Sequence, residues 1–247
     1  MSRGDVVAGR RAALEAVRSG RASEVLVASG SRHTPGLRDL LEAAREAGVP
    51  VRSAPRDDLD RLAPDHQGVV ARAETPRELT ERDLSDWAFE EDPIVVVLDG
   101  VTDPQNLGAA ARSAEAAGAP MLVTRVRRSA PVSAAAVRAS AGALLHLPHA
   151  RVANVTRALG RLQEAGFFVV GLDGAAPSSV YDEPCPSGRI ALVLGGEGGG
   201  LSRLVRERCD ALVALPMVGR VSSLNASAAL AAVLYAYVVP SRRPSRA

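Results

Sequence analysis

The sequence predicts an α/β protein with a parallel β-sheet, preceded by a smaller α/β unit. From residue 93 onward, aliphatic strands alternate with helices, which is the pattern of a parallel sheet. The first of these strands, "PIVVVLDG", is aliphatic almost throughout, as is typical of a strand covered on both faces. The 247 residues are 47% hydrophobic, so the chain can form a packed core.

Residues 1–73 predict the smaller unit. The stretches "AGRRAALEAVRSG" and "GLRDLLEAAREAG" have apolar residues at helical spacing and end at Gly20 and Gly48, so they predict two helices. The stretches "EVLVAS", "VPVRSA" and "GVVARA" predict three strands, with a turn before the last one.

Residues 74–92 are acidic and hold the only tryptophan, Trp87. They predict a linker, although an amphipathic helix packed on one of the two units is an equally good interpretation.

Residues 93–240 predict the larger unit, and residues 241–247 predict a disordered basic tail. After "PIVVVLDG", the predicted elements are helix "DPQNLGAAARSAEAAG", strand "APMLVTR", helix "VSAAAVRASAGA", strand "LLHLP", helix "VTRALGRLQEAG", strands "FFVVGLD" and "RIALVLG", helix "LSRLVRERC", strand "ALVALP" and helix "SLNASAALAAVLYAYVV".

Composition excludes several classes of function. The net charge is +2, and all 30 basic residues are arginine. Arginine suits phosphate binding, but a GC-rich genome produces the same bias. Without lysine, the chain has neither a Walker lysine nor a Schiff-base lysine. Two cysteines without metal-ligand spacing predict no metal site. Because there is no long apolar run and no signal peptide, we expect a cytoplasmic protein with no membrane contact.

A glycine-rich loop, "GGEGGGLS", follows the strand "RIALVLG". It fails the dinucleotide-binding glycine spacing, and Leu201 stands where a P-loop needs lysine. The carboxylate of Glu197 would also repel a phosphate. The loop therefore predicts a ligand with positive charge or with hydrogen-bond donors, which glycine allows to approach the backbone closely.

Two more loops with polar residues follow predicted strands. In "DGVTDPQNLGAAARS", Asp103 is a good N-cap, Pro104 a good first helical residue, and Asn106 and Arg112 follow. In "LPMVGRVSSLNAS", two serines and Asn225 precede an apolar helix, and Ser223 could be a simple N-cap. Ligands of parallel sheets bind at the carboxyl ends of strands, so we expect the three loops to converge. None of the four histidines lies in them, so histidine catalysis is not expected.

The three segments "LDGVTDPQNLGAAARSAEAAG", "LVLGGEGGGLS" and "LPMVGRVSSLNASAAL" resemble, in order, the motifs of the SpoU/TrmH family of RNA 2′-O-methyltransferases, in the SPOUT superfamily. The N-terminal "GRRAALEAV" and "HQGVVAR" are similar to the small ribosomal-protein-like RNA-binding domain of the RlmB subgroup, which modifies a guanosine of 23S rRNA. The resemblance implies a deep C-terminal trefoil knot, S-adenosyl-L-methionine as cofactor, RNA as substrate and a homodimer.

The resemblance also implies roles for individual residues. The catalytic set is Asn106, Arg112, Glu197, Ser223 and Asn225. The cofactor set is Thr124, Gly195, Gly196, Leu215, Met217, Ser222 and Leu224. The resemblance implies that Arg112 is part of the general base. A guanidinium is a poor proton acceptor, so we expect Arg112 to bind the phosphate of the target nucleotide instead.

The stretch "TRVRRSAPVSAAAVRAS" predicts a track for RNA phosphates formed by Arg125, Arg127, Arg128 and Arg138. Two alternatives remain. One is a methyltransferase of the same family that confers antibiotic resistance through rRNA or acts on tRNA. The other, of a different class, is a non-catalytic RNA-binding or ribosome-assembly factor on the same fold.

Overall fold

The computed structural model describes residues 5–32, 34–63, 66–74, 76–89, 92–182 and 184–242. The strands are β1 (Asp5–Ala8), β2 (Ala22–Ala28), β3 (Val51–Ala54), β4 (Val69–Ala73), β5 (Ile94–Asp99), β6 (Met121–Arg125), β7 (His149–Val152), β8 (Phe168–Leu172), β9 (Ser178–Ser179), β10 (Ile190–Gly195) and β11 (Ala211–Ala214). The α-helices are α1 (Arg10–Arg18), α2 (Pro35–Glu46), α3 (Arg56–Leu62), α4 (Glu81–Asp86), α5 (Pro104–Ala116), α6 (Ala134–Ala139), α7 (Val155–Glu164), α8 (Arg203–Arg208) and α9 (Ala226–Val233).

The strands form two sheets. The first four make a mixed sheet in the order β1-β4-β2-β3, and the other seven make a parallel sheet in the order β7-β6-β5-β10-β8-β11-β9. The predicted parallel α/β architecture, preceded by a smaller α/β unit, is therefore confirmed. The trefoil knot remains a prediction from the resemblance.

Strand β5 is covered on both faces, as its aliphatic run predicts. Ile94, Val96 and Leu98 belong to one apolar cluster, which also contains residues of α5 and α9. Val95 and Val97 belong to a second cluster, which contains residues of α7 and α8. The first cluster continues into the N-terminal unit through α1, so the two units share a buried apolar contact.

Residues 74–92 contain a helix packed on the parallel sheet, which is the second of the two interpretations. Leu84 of α4 is buried against the cluster that holds α7. Glu81 forms an ion pair with Arg157 at 2.5 Å and accepts a hydrogen bond from the backbone of Asn154. The helix begins with a capping box formed by Thr80 and Asp83.

Several local predictions are wrong. The sequence "LLHLP" is not a strand: residues Ala143–Leu145 form a 3₁₀-helix, and the strand begins at His149. Leu144 and Leu145 are apolar because they are buried in the shared core. Strands β1 and β9 and helix α3 were not predicted, since each has too few apolar residues to show a period.

The last helix is shorter than predicted. Helix α9 ends at Val233, and the chain then forms a π-helical turn (Leu234–Val238) and a 3₁₀-helix (Val239–Arg242). The predicted disordered tail starts at 241; its residues 243–247 lie outside the described part of the chain. Within the described ranges, every helix is too short or too polar to cross a bilayer.

Candidate active site

The three polar loops converge as expected, and Asn106 lies where they meet. Its side-chain nitrogen donates a hydrogen bond to Glu197 of the glycine-rich loop. Its side-chain oxygen accepts one from Nδ2 of Asn225, at 2.8 Å. Asn106 itself is buried in the first turn of α5, which begins with the predicted N-cap Asp103 and Pro104. One amide thus connects the ends of β5, β10 and β11.

Asn225 is the N-cap of α9. Its Oδ1 accepts hydrogen bonds from the backbone nitrogens of Ser227 (2.9 Å) and Ala228 (3.4 Å). Its Nδ2 donates the hydrogen bond to Asn106. The alternative that Ser223 is the N-cap is therefore wrong. Ser227 adds its own hydroxyl, which lies 2.6 Å from Oδ1 of Asn225 and 3.4 Å from Oδ1 of Asn106.

A cavity of about 830 Å³ lies beside this network, at the carboxyl ends of β8, β10 and β11. A volume of this size suits a ligand as large as a nucleoside derivative. The predicted residues that line the cavity are Gly195, Gly196, Glu197, Leu215, Met217, Ser222, Ser223, Leu224 and Asn225. Asn106 lies behind the wall, in contact with Glu197 and Asn225.

The glycines of this loop have a packing role that the sequence analysis did not foresee. A Cβ atom on Gly195 would lie 2.0 Å from the backbone carbon of Gly200, and one on Gly196 would lie 2.3 Å from the carbonyl oxygen of Gly100. Gly198 and Gly200 have φ angles of 75° and 60°, which favour glycine. Gly195 and Gly196 are therefore required because the loop folds onto the protein's own backbone.

Asp99, which sequence reasoning missed, holds this loop in place. It is the last residue of β5, and its side chain is almost fully buried. Its Oδ2 accepts a hydrogen bond from the backbone of Ser202 at 2.9 Å, and its Oδ1 lies 3.0 Å from a guanidinium nitrogen of Arg125. The signal in the sequence is an acid directly after an uninterrupted aliphatic strand.

A second acid that sequence reasoning missed lines the cavity itself. Asp173 follows β8, and together with Leu172 and Gly174 it forms part of the wall. It is paired with Arg206 of α8 at 2.7 Å. The tripeptide "LDG" occurs at the ends of both β5 and β8, so this repeat could have identified the loop.

The structure does not place Thr124 on the lining of the cavity, so its assignment to the cofactor stays a prediction from the resemblance. Its side chain is fully buried in β6, with the hydroxyl 2.8 Å from Nε2 of His149. Burial, and to a lesser extent the charge of Arg151, lowers the pKa of His149 to about 4, so this histidine is neutral at physiological pH.

Arg112 does not line the 830 Å³ cavity either. It is exposed on α5 and lines a separate cleft of about 650 Å³ between α5 and α1. Asn106 and Arg112 are six residues apart, so they lie about 9 Å apart along the helix axis. Helix α5 therefore extends from the cavity to the cleft, with the Asn106 network at its start and Arg112 farther along.

The predicted phosphate track is only partly available. Arg125 is engaged by the buried carboxylate of Asp99, and Arg138 on α6 is half-buried. Arg127 and Arg128 are exposed in the loop after β6. This loop is held beside the end of β5 by a hydrogen bond from the backbone of Ala130 to Val101. The four arginines therefore do not form one continuous exposed track.

The chemistry of the site is that of amides, carboxylates and hydroxyls. Burial, together with the charges of Asp210, Asp99 and Asp173, raises the pKa of Cys209 to about 12, so its thiol is not a nucleophile at neutral pH. Among the described residues, no group of three or more histidines, cysteines and acids could hold a metal ion. These side chains can orient a ligand and a hydroxyl group.

Comparison with known proteins covers both units. The model of the SpoU rRNA Methylase family matches residues 93–235, and that of the RNA 2'-O ribose methyltransferase substrate-binding family matches residues 6–79. The 23S rRNA (guanosine-2'-O-)-methyltransferase RlmB of Salmonella typhimurium is 42% identical over 218 residues, which are 87% of this chain and 89% of that protein.

Two further similarities extend over almost the whole chain. An uncharacterized tRNA/rRNA methyltransferase of Mycolicibacterium vanbaalenii is 41% identical over 244 residues, 97% of this chain and 77% of that protein. The crystal structure of the SpoU methyltransferase AviRb from Streptomyces viridochromogenes, in complex with AdoMet, superposes with a TM-score of 0.77 at 32% identity. That superposition covers 97% of this chain and 91% of AviRb.

Proposed function

The chain belongs to the SpoU rRNA methylase family, and from this premise we propose that it transfers a methyl group from S-adenosylmethionine to a ribose 2′-hydroxyl of RNA. The observation that carries the proposal is the Asn106 amide, which connects Glu197 and Asn225 beside the 830 Å³ cavity. In a non-catalytic RNA-binding factor, nothing would require these three groups to meet there.

The cavity residues fit the proposed cofactor. Leu172, Leu194, Leu215 and Met217 form an apolar wall that suits an adenine ring. Glu197 brings a carboxylate to a ligand that carries a sulfonium and an ammonium group, whereas the charge of Asp173 is shared with Arg206. Ser222 and Ser223 add hydroxyl groups for ribose or carboxylate contacts. A ligand with a pyrophosphate would be repelled by Glu197.

When bound, S-adenosylmethionine supplies an electrophilic methyl group on a sulfonium. The chain must then align the 2′-hydroxyl and assist the loss of its proton. The side-chain nitrogen of Asn106 donates to Glu197, and its side-chain oxygen accepts from Asn225. These two hydrogen bonds keep the three loops in a fixed relative position. Alignment of this kind can contribute up to about 7–11 kcal/mol to a barrier. We assign Asn106, Glu197, Ser223 and Asn225 to this orienting role.

We assign Arg112 to the phosphate of the target nucleotide. A guanidinium binds phosphate through two parallel hydrogen bonds, and Arg112 is exposed on the helix that also holds Asn106. The phosphate held there would position the 2′-hydroxyl, and a phosphate oxygen or a water could take its proton. Arg127 and Arg128, both exposed, would add contacts to the RNA backbone.

The proposed substrate is a guanosine of 23S rRNA, presented in a single-stranded or looped segment so that its ribose is accessible. The similarity to RlmB over 87% of the chain supports this choice. A resistance enzyme acting on rRNA, or a tRNA enzyme of the same family, would have the same cavity. The similarity to AviRb and to an uncharacterized tRNA/rRNA methyltransferase supports this second candidate function.

We further propose the division into an RNA substrate-binding domain (1–73), a connecting segment (74–92) that contains the packed helix α4, and a methyltransferase domain (93–240). We also propose a cytoplasmic location. We also propose a homodimer. Several apolar side chains of the loop after β11 and of the C-terminal helical turn are exposed, as expected for a surface covered by a second subunit. They are Met217, Val218, Val221, Leu224 and Tyr235. Light scattering at several concentrations will test the dimer.

The deciding experiment is to map 2′-O-methyl groups in total RNA from cells with and without this gene. Loss of one guanosine signal in 23S rRNA is the expected result. Loss of a tRNA signal, or of another rRNA signal, would select the second candidate. Purified protein that transfers no tritium from labelled S-adenosylmethionine to unmodified RNA would instead support the non-catalytic factor.

A further inference from the structure

The cleft of about 650 Å³ lies between the two units and is separate from the candidate active site. Helices α1 and α2 of the N-terminal unit form one side, and α5 and the segment that follows α6 form the other. Four arginines line it: Arg10, Arg11, Arg18 and Arg112. None of the residues that line the 830 Å³ cavity belongs to it.

The acid at the base of the cleft is already paired. Glu15 of α1 lies 3.5 Å from Arg18 and 3.0 Å from Nε2 of His146, so its charge is available to these groups rather than to a ligand. Arg11 and Arg112 are both exposed, and neither has a hydrogen-bond or ion-pair partner within the described part of the chain. Two guanidinium groups from different units are therefore free to bind an anion.

Arg10 is held at the same place and keeps an unused donor. Its Nη1 donates a hydrogen bond to Oγ1 of Thr34, at 3.1 Å, which fixes the side chain near the start of α2. Its Nε is buried without a hydrogen-bond partner among the described atoms. A buried donor without a partner is costly, and a small shift of the side chain toward an anionic oxygen in the cleft would relieve that cost.

We infer that this cleft binds the phosphodiester backbone of the substrate RNA next to the target nucleotide, with Arg11 and Arg112 as the principal contacts and Arg10 as a support. The inference rests on the proposed function and adds a site to it. RNA backbone is the favoured ligand because it is a repeating anion that can contact arginines of both units along its length.

The position of the cleft explains how RNA held there would serve the reaction. Arg112 and Asn106 belong to the same helix, about 9 Å apart along its axis. The contact between the units is fixed by a 2.8 Å hydrogen bond from Nε of Arg21 to the carbonyl of Leu145, and Gly142 fits closely against Glu15. Backbone bound in the cleft would therefore hold the neighbouring ribose at a set distance from the Asn106 network.

Two acids, Asp39 and Glu115, also line the cleft and are exposed. They reduce the positive charge of the cleft. They also allow a test in which two substitutions are expected to change the affinity for RNA in opposite directions. If RNA phosphates lie here, removal of a positive charge must weaken binding, and removal of a negative charge must strengthen it.

The test measures the affinity of the full-length protein for an unmodified 23S rRNA transcript at several salt concentrations. Arg11→Ala is expected to weaken binding about three- to ten-fold and to reduce the salt dependence by about one phosphate contact. Asp39→Asn is expected to tighten binding about two- to three-fold. The affinity for S-adenosylmethionine should not change in either variant, because neither residue lines that cavity.

The matched control is Arg45→Ala. Arg45 is exposed on α2 and does not line the cleft, and its substitution removes the same charge as Arg11→Ala. If Arg11→Ala and Arg45→Ala weaken RNA binding equally, or if Asp39→Asn does not tighten it, the inference is wrong. Failure of the wild-type protein to methylate the transcript would contradict the proposed function but would leave these binding comparisons intact.

Discussion

Asn225 donates a 2.8 Å hydrogen bond from its Nδ2 to Oδ1 of Asn106, 119 residues earlier in the chain. The same side chain caps α9 through its Oδ1. The two functions use different atoms of one amide. They can therefore be separated by a substitution that replaces the nitrogen and keeps the oxygen.

Asn225→Asp is expected to reduce methylation while the fold stays stable. The carboxylate still accepts from the backbone of Ser227 and Ala228, and a negative charge suits a helix N-terminus. It cannot donate to Asn106, however, and it brings a charge close to Glu197. We expect kcat to fall about 10- to 100-fold, measured as tritium transfer to RNA.

Asn225→Ala is the matched variant, because it removes both the cap and the contact with Asn106. It should lower the free energy of unfolding by about 1 kcal/mol in addition to the loss of activity. Urea unfolding of both variants distinguishes the two roles. Full activity in Asn225→Asp would show that the contact with Asn106 is not needed for methyl transfer.

Gly195→Ala is expected to abolish cofactor binding and to destabilise the protein. The added Cβ would lie 2.0 Å from the backbone of Gly200, so the loop would have to move away from β10. We expect a loss of about 1–3 kcal/mol in the free energy of unfolding. Calorimetric titration with S-adenosylmethionine measures the binding.

Gly199→Ala is the control for the glycine-rich loop. Among the residues that the structure describes, no atom lies within 4 Å of its added Cβ, and its φ is not in the left-handed region. It should therefore bind the cofactor with an affinity close to that of the wild type. An equal loss of binding in both variants would mean that flexibility of the loop, rather than close packing at Gly195, is what matters.

The sequence predicts the convergence of the three loops because each follows an aliphatic strand, and the carboxyl ends of parallel strands lie at one edge. It does not show that Asp99 holds the glycine-rich loop, since that contact joins residues 103 positions apart. Nor does it show that Thr124 is engaged by His149, because β6 and β7 become neighbours only in the folded sheet.

The predicted strand at residues 144–148 shows a different limit. Leu144 and Leu145 are apolar because they pack between the two units, and the strand that pairs with β6 begins four residues after Leu145. An apolar run reports burial, but it does not report whether the buried segment is extended or helical.

Arg112→Lys is expected to reduce kcat/KM for RNA about 10- to 100-fold without changing the affinity for S-adenosylmethionine. Lysine keeps the charge but cannot form two parallel hydrogen bonds with a phosphate. The cofactor cavity should be unaffected, because Arg112 lines the other cleft. Steady-state methylation at varied RNA concentration measures the effect. A kcat/KM for RNA close to that of the wild type would show that the paired hydrogen bonds to phosphate are not required.

His149 is expected to make the protein less stable as the pH falls below about 6.5. Its pKa is about 4 in the folded protein because the side chain is buried, with the charge of Arg151 as a smaller cause, and 6.5 is the ordinary value in an unfolded chain. Between these two values the unfolded state binds more protons, so folding stability is complete above pH 6.5 and is lost as the pH falls towards 4. The loss from this group should be about 2 kcal/mol at pH 5 and should approach about 3 kcal/mol below pH 4.

The comparison variant is His149→Gln, which keeps a polar group for the hydroxyl of Thr124 but does not titrate. Urea unfolding at pH 7 and pH 5 gives the change in free energy for each protein. Other titrating groups affect both proteins equally, so the difference between them isolates the histidine. The wild type should lose about 2 kcal/mol more than the variant over this interval. Equal losses in the two proteins would mean that His149 is not held in its neutral form by burial.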